Sequence, residues 1–173
     1  MEEVLKVMQL SEDDLAAFVD FKNKLSKEDT FVAQSGEILS EESEQNDFIS
    51  FINEIRAKNA VEITLWQDSI LVGNAKIWRM NKYKRNKHVG CCSIALLNEW
   101  RGKGYGKKLM KEIMNKAIME IEGLKLFTLT TYSNNNIAIK LYKDLGFKEW
   151  GRLPNAVYYK GKYVDQVEMF MVI

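Results

Sequence analysis

Apolar and polar positions alternate from Val4 to Leu10, which predicts a first strand. Ser11 follows as an N-cap, with Asp14 three residues on and acids filling the first turn, where the helix dipole favours them. Leu15, Phe18, Val19 and Leu25 then give that helix an apolar stripe. After a polar loop, Ser40 caps a second helix reaching to about Asn59, with Phe48, Phe51, Ile52 and Ile55 on one face. Val61–Trp66 and Ile70–Trp78 are rich in β-branched and aromatic residues and are joined by Gln67-Asp68-Ser69, a hairpin pattern. His88–Leu97 is a third apolar run. At Gly102 the period turns helical, with Leu109, Met110, Ile113, Met114, Ala117, Ile118 and Ile121 recurring at three and four. Leu124–Thr131 reads as a strand, Asn135–Leu145 as a helix, and Phe147 onward as two strands ending near Ile173. The expected order is β-α-α-β-β-β-α-β-α-β-β, an α/β (α+β) class.

A length of 173 residues and a lone proline, Pro154, with no Gly/Ser-rich stretch, predict one domain over 1–173. The opening Met1-Glu2-Glu3 is acidic and the apolar run after it is short, which argues against a secretory signal. Nothing approaches the roughly 20 apolar residues of a membrane span, so a cytoplasmic protein with no membrane partner is expected. Cys91 and Cys92 are adjacent, and strand neighbours point to opposite faces, so they are poorly placed to bond each other. With His88 the single histidine, no structural zinc site of usual ligand spacing is available and no metal is expected.

A net charge of +1 gives no general attraction to nucleic acid. The charge is unevenly spread: residues 1–60 hold 14 acids against 6 bases, and residues 61–173 hold 10 acids against 19 bases. A basic half suits a phosphate-bearing ligand and an acidic half a cationic one. Solvated helix faces would give the same pattern.

The most informative stretch runs from Ser93 to Leu109. An apolar strand enters Arg101-Gly102-Lys103-Gly104-Tyr105-Gly106, and a long amphipathic helix starts there. Glycines permit positive φ and close approach of a ligand to the backbone. The unpaired N–H groups of the helix's first turn face outward with the positive dipole end behind them. Such a turn holds a pyrophosphate, and Arg101, Lys103, Lys107 and Lys108 add cations around it. A P-loop is excluded, because Gly-Lys-Ser/Thr after a four-residue gap is missing. A dinucleotide fingerprint is excluded as well: the third glycine comes one residue early.

Arg101-x-x-Gly104-x-Gly106 after an apolar strand resembles the acetyl-CoA signature of the GNAT superfamily of N-acetyltransferases. A second stretch, Asn135 to Phe147, is similar to that family's later motif, N-x-x-A-x-x-L-Y-x-x-x-G-F, in the family's order and at its usual separation. Element order agrees too, so the resemblance covers essentially the whole chain.

It implies a mixed, mostly antiparallel splayed sheet flanked by helices. The strand through Ile94, Ala95 and Leu96 would hydrogen-bond the pantetheine arm of acetyl-CoA, and the amides of Arg101, Gly102, Lys103, Gly104, Tyr105, Gly106 and Lys107 would take the pyrophosphate. Asn135 would contact the cofactor near its thiol end, with Tyr142 beside the sulfur. A phenol can donate a proton to the leaving thiolate. Against that, Ala138, Tyr142 and Leu145 share a helical face, as a core aromatic would.

The reaction needs an uncharged amine, so something must remove a proton. Family members often carry a carboxylate on the strand before the glycine turn, where this chain has Gly90-Cys91-Cys92-Ser93 and no acid. Glu62, on an earlier strand, is one candidate base and His88 another. The acceptor is expected between the first two helices and the C-terminal strands. Glu37, Glu41, Glu42, Glu44 and Asp47 could hold a polyamine there, or be a helix's solvated first turns. The tail from Gly151 to Asp165 is similar to spermidine and ribosomal-protein acetyltransferase branches without separating them.

The expectation is an acetyl-CoA-dependent N-acetyltransferase acting by direct attack on a primary amine, of a small polyamine-like molecule or a protein N-terminus. The competing class is a non-catalytic acyl-CoA-binding sensor, suggested by the missing strand carboxylate. The terminal strands of this fold commonly contribute to dimers, which leaves a homodimer open.

Overall fold

The computed structural model describes residues 5–32, 35–80 and 83–173. Val4, the expected start of the first strand, and the acidic opening Met1-Glu2-Glu3 lie outside the described residues. The elements follow the expected order: β1 (Leu5–Met8), α1 (Leu15–Lys27), α2 (Glu41–Arg56), β2 (Ala60–Gln67), β3 (Ile70–Arg79), β4 (Val89–Leu96), α3 (Tyr105–Glu120), β5 (Leu126–Tyr132), α4 (Asn136–Asp144), β6 (Lys148–Tyr159) and β7 (Lys162–Val172). Short 3₁₀ turns at Glu12–Asp14 and Asn98–Trp100 precede α1 and α3.

Boundaries move for local reasons. Ser11 and Asp14 form the expected capping box, but it closes a 3₁₀ turn, and the α-helix begins one residue later. Ser40 caps α2 through the Ser43 amide at 3.1 Å. The helix stops at Arg56, and Lys58 adopts φ +57° in the turn that leads to β2. α3 starts at Tyr105, three residues after Gly102, because Gly102 and Gly104 sit at φ +73° and +88° outside the helical region.

The chain divides into two compact units. One comprises the segment through Trp78 and Ser93–Glu122. Its strands run in the order β1-β2-β3-β4, with β1, β2 and β3 successively antiparallel. Asp68, at φ +52°, makes the tight turn of the β2–β3 hairpin. β2 is buried on both faces, so its alternate polar residues Glu62 and Thr64 are as inaccessible as the apolar ones between them. Phe21 and Leu25 of α1 pack with Trp66 and Leu71, while Phe48 and Ile52 of α2 pack with Leu10. α3 contributes Leu109, Met110, Ile113 and Ala117, all essentially inaccessible. Gly73 lets β4 lie close: a Cβ there would meet Leu96 Cδ2 at 2.3 Å.

The other unit comprises Arg79–Cys92 and Gly123–Ile173. Its strand order is β4-β5-β7-β6. β4 and β5 are parallel over Val89↔Leu126, Gly90↔Phe127 and Cys91↔Thr128, and the remaining pairings are antiparallel. Phe127, Leu129, Val167 and Met169 alternate inward, and Tyr142 of α4 packs on Phe147 with ring centroids 5.9 Å apart. Among the described residues, no helix is long and apolar enough to cross a membrane.

Candidate functional site

The glycine turn has the geometry of an anion cradle. The first bond of the helical ladder in α3 runs from the Lys108 amide to the Gly104 carbonyl, at 3.2 Å. The N–H groups of Tyr105, Gly106 and Lys107 therefore belong to the helix's orphan donors. α2 and α4 satisfy such donors with Ser40 and Asn135 side chains, whereas the N-cap of α3 is Gly104 and supplies none. A Cβ at Gly102 or Gly104 would meet no atom within 4 Å, so the space beside both is open. Lys103 lies over the Trp100 ring at 5.1 Å, and Trp100 in turn packs on Tyr105 at 5.8 Å.

Arg101 does something different from the lysines. Its amide bonds the Asn98 carbonyl at 3.1 Å. Its Nε donates to the Leu96 carbonyl at 2.8 Å, and its Nη2 pairs with Glu28 Oε2. Glu28 Oε1 also accepts from the Asn98 amide at 2.8 Å. One carboxylate just beyond α1 thus ties both ends of the short 3₁₀ turn that leads into the glycines. Sequence reasoning missed Glu28. The available signal was an acid at the negative end of a helix dipole, a placement that needs a tertiary partner to compensate it. Replacing Glu28 with Gln is expected to lower stability by about 0.5–1 kcal/mol, the range of a partly exposed ion pair. Thermal melts check the loss.

Ile94, Ala95 and Leu96 form the second half of β4, with the first two half-buried. Asn135 caps α4, its Oδ1 accepting from the Ala138 amide at 3.1 Å. Tyr142 is 7 % exposed, and burial, followed by the nearby Cys92, pushes its phenol up to about 12. It therefore holds its proton throughout the neutral range.

Glu62 lies in β2 at 1 % exposure. Its Oε1 accepts from Asn74 Nδ2 at 2.7 Å, and its Oε2 has no hydrogen-bond partner among the described residues. Burial raises its pKa against the opposing pull of Asn74 and of the Lys76 charge. Lys76 is lowered in turn, chiefly by burial, and its ammonium faces the Phe51 ring at 4.8 Å and Trp78 at 5.5 Å. His88 is exposed just before β4, its carbonyl accepting from the Lys125 amide.

The glycine turn, Ile94–Leu96 and Glu62 belong to the first unit, and Asn135, Tyr142 and both cysteines to the second. Cys91 is half-buried and Cys92 buried, one on each face of the strand. Burial raises both thiols, and the Glu168 carboxylate adds to the rise at Cys91. Among the described residues no group of three or more His, Cys, Asp or Glu side chains could hold a metal ion.

Residues 20–147 match the model of the acetyltransferase (GNAT) family. A prophage-derived N-acetyltransferase of Bacillus subtilis, YokL, is 34 % identical over 74 residues. That stretch is 43 % of this chain and 41 % of the relative, so the match spans less than half of either. Among solved structures, a GNAT-family acetyltransferase of Streptococcus pneumoniae superposes with a TM-score of 0.86 at 24 % identity, over 98 % of this chain and 100 % of that one. A phosphinothricin acetyltransferase of Sinorhizobium meliloti, solved with acetyl-CoA, gives 0.81 at 17 % identity, over 98 % and 88 %. At such identities the superpositions speak for the fold.

Proposed function

The chain belongs to the GNAT family of acetyltransferases, and from that premise we propose that it transfers the acetyl group of acetyl-CoA directly to a primary amine. The observation that carries this reading is the uncapped start of α3, preceded by two glycines of positive φ beside which the space is open. A pyrophosphate is the group such donors suit. The amides from Gly102 to Lys107 take it, and Lys103, Lys107 and Lys108 surround it with charge. Arg101 braces the turn from within.

Ile94, Ala95 and Leu96 offer backbone groups to the pantetheine arm, since β4 runs on to Leu96 beyond its last pairing with β5. Asn135 caps α4 near the thiol end. Tyr142 donates its proton to the departing thiolate, and a phenol held protonated by burial suits that role. Glu62 stands as a candidate base, buried and with one oxygen unpartnered.

The acceptor is a small polyamine-like molecule or a protein N-terminus. Glu41 and Glu42 are exposed in the first turn of α2, and Glu44 pairs with Lys22, which favours a structural use of these acids. The test is release of free CoA from acetyl-CoA over spermidine, an alanine-starting peptide and free L-amino acids, alongside calorimetry of acetyl-CoA binding. Turnover of at least one amine supports the reading. Tight binding without release on any of them fits a non-catalytic acyl-CoA module. With Glu41 and Glu42 both changed to Gln, KM for spermidine is expected to stay within about twofold, and stability to fall by about 0.3–1 kcal/mol per charge.

A further inference from the structure

β4 carries no acid at Gly90-Cys91-Cys92-Ser93, yet a carboxylate stands beside it. Cys91↔Thr128 is the last parallel pair between β4 and β5. Across β5 the antiparallel register continues as Thr128↔Phe170 and Thr130↔Glu168. Side chains alternate along a strand, so Cys91, Thr128, Thr130, Phe170 and Glu168 share one face. The opposite face is closed by Phe127, Leu129, Val167 and Met169, and that is the face on which Cys92 neighbours Tyr142. Glu168 therefore sits one alternation beyond the last β4–β5 pair, on the accessible side, and near enough to Cys91 for its charge to help hold that thiol up.

The carboxylate is held in place without being closed off. Gln166 Nε2 donates to its Oε1 at 2.7 Å, and the Thr130 hydroxyl lies 3.2 and 3.1 Å from its two oxygens. The β6 residue opposite is Gly151, which brings no side chain; a Cβ there would be 3.9 Å from the Glu168 Cβ. On this face of the unit the polar and titratable groups around Glu168 are Cys91 from β4, Thr130 and Tyr132 from β5, Gln166 from its own strand and Lys148 from β6, with the bare Gly151 directly opposite. Glu168 is half-buried and retains free lone pairs for a donor.

We propose that Glu168 is the base that prepares the acceptor amine, a role that rests on the acetyltransferase reading above. It takes one proton from the ammonium, directly or through a water. The freed nitrogen lone pair attacks the thioester carbonyl and the C–N bond forms. As the tetrahedral intermediate collapses, the C–S bond breaks, the second nitrogen proton passes to water, and Glu168 gives up its own proton to solvent. The thiolate takes the Tyr142 proton, which solvent restores. The sum is an N-acetyl product, free CoA and one proton released. Acid and base then stand on opposite faces of the same three strands.

The test is the pH profile of Glu168→Gln with the amines that the parent acetylates among spermidine, the alanine-starting peptide and free amino acids. At pH 7, kcat/KM should fall about 10²-fold, with acetyl-CoA affinity and thermal midpoint unchanged. The deficit should shrink with rising pH, because log kcat/KM then follows the growing fraction of free amine with a slope near one. Glu168→Asp should keep most of the parent profile. Cys91→Glu placed in the Glu168→Gln background should recover part of the rate by supplying a carboxylate from β4. The proposal is overturned if Glu168→Gln stays within about threefold of the parent from pH 6 to 9. A rise in KM alone with an unchanged profile also overturns it, since that marks a cation-holding role. So does a unit slope that appears in Glu62→Gln instead. A parent that binds acetyl-CoA yet acetylates no amine defeats the underlying reading, and this inference with it.

Discussion

Tyr142→Phe is expected to lower kcat by about 10²-fold while acetyl-CoA affinity stays within about twofold. The substitution removes one hydroxyl and keeps the ring, so its packing on Phe147 survives. General acid catalysis is typically worth about 10²–10⁴-fold, and a thiolate leaves fairly well even unprotonated, which favours the lower end. An interaction made chiefly in the transition state is lost from kcat and not from binding. The pH dependence separates this residue from the base. Burial raises the phenol to about 12, so the proton is in place at every assayable pH and its loss gives a deficit that is flat from pH 6 to 9. Collapse of α4 would instead lower the melting temperature and weaken cofactor binding together. Measuring kcat, cofactor Kd and thermal midpoint on one variant decides between them. Unchanged kcat, where chemistry limits the rate, would remove Tyr142 from the mechanism.

Gly104→Asp is expected to weaken acetyl-CoA binding at least about tenfold, or roughly 1.4 kcal/mol. Two effects add. Gly104 sits at φ +88°, where a residue with a Cβ is strained by about 1–2 kcal/mol. The carboxylate would also hang beside the Tyr105, Gly106 and Lys107 amides and compete for the donors a pyrophosphate needs. Gly104→Ala separates these contributions. It carries the strain without the charge, and its methyl would meet no atom within 4 Å, so its affinity loss should be the smaller. Calorimetric binding by a folded Gly104→Asp protein equal to the parent's would defeat the assignment of this turn.

Local sequence made the fold legible wherever a single residue decides backbone geometry. Ser40 and Asn135 stop the chain and start helices because their side chains bond the amide three residues on. Gly102 and Gly104 mark the turn because positive φ is cheap only for glycine. Hydrophobic period supplied the helices and most strands. What it could not supply was register. Glu168 looks like any acid in a half-exposed strand. Its place beside Cys91 depends on β7 lying against β5 and β5 against β4, pairings set by chain segments far apart in sequence. Arg101 carries a second role that sequence did not show. A cation in a glycine turn suggested a phosphate ligand, and the tertiary partner Glu28, just beyond α1, adds a bracing contact.

The adjacent cysteines give the molecule two chemical reporters one peptide bond apart. The thiolate is the form that attacks a thiol-directed reagent, and burial raises both thiols, so both sites label slowly. Cys91 is half-buried on the accessible face, and its modification rate follows whatever covers that face. Cys92 is 7 % exposed, on the side it shares with Tyr142. A reagent reaches it only when the strand opens, so its labelling rate measures the free energy of local unfolding. Quantifying the two adducts in one digest would read surface occupancy and sheet stability from neighbouring residues of the same strand.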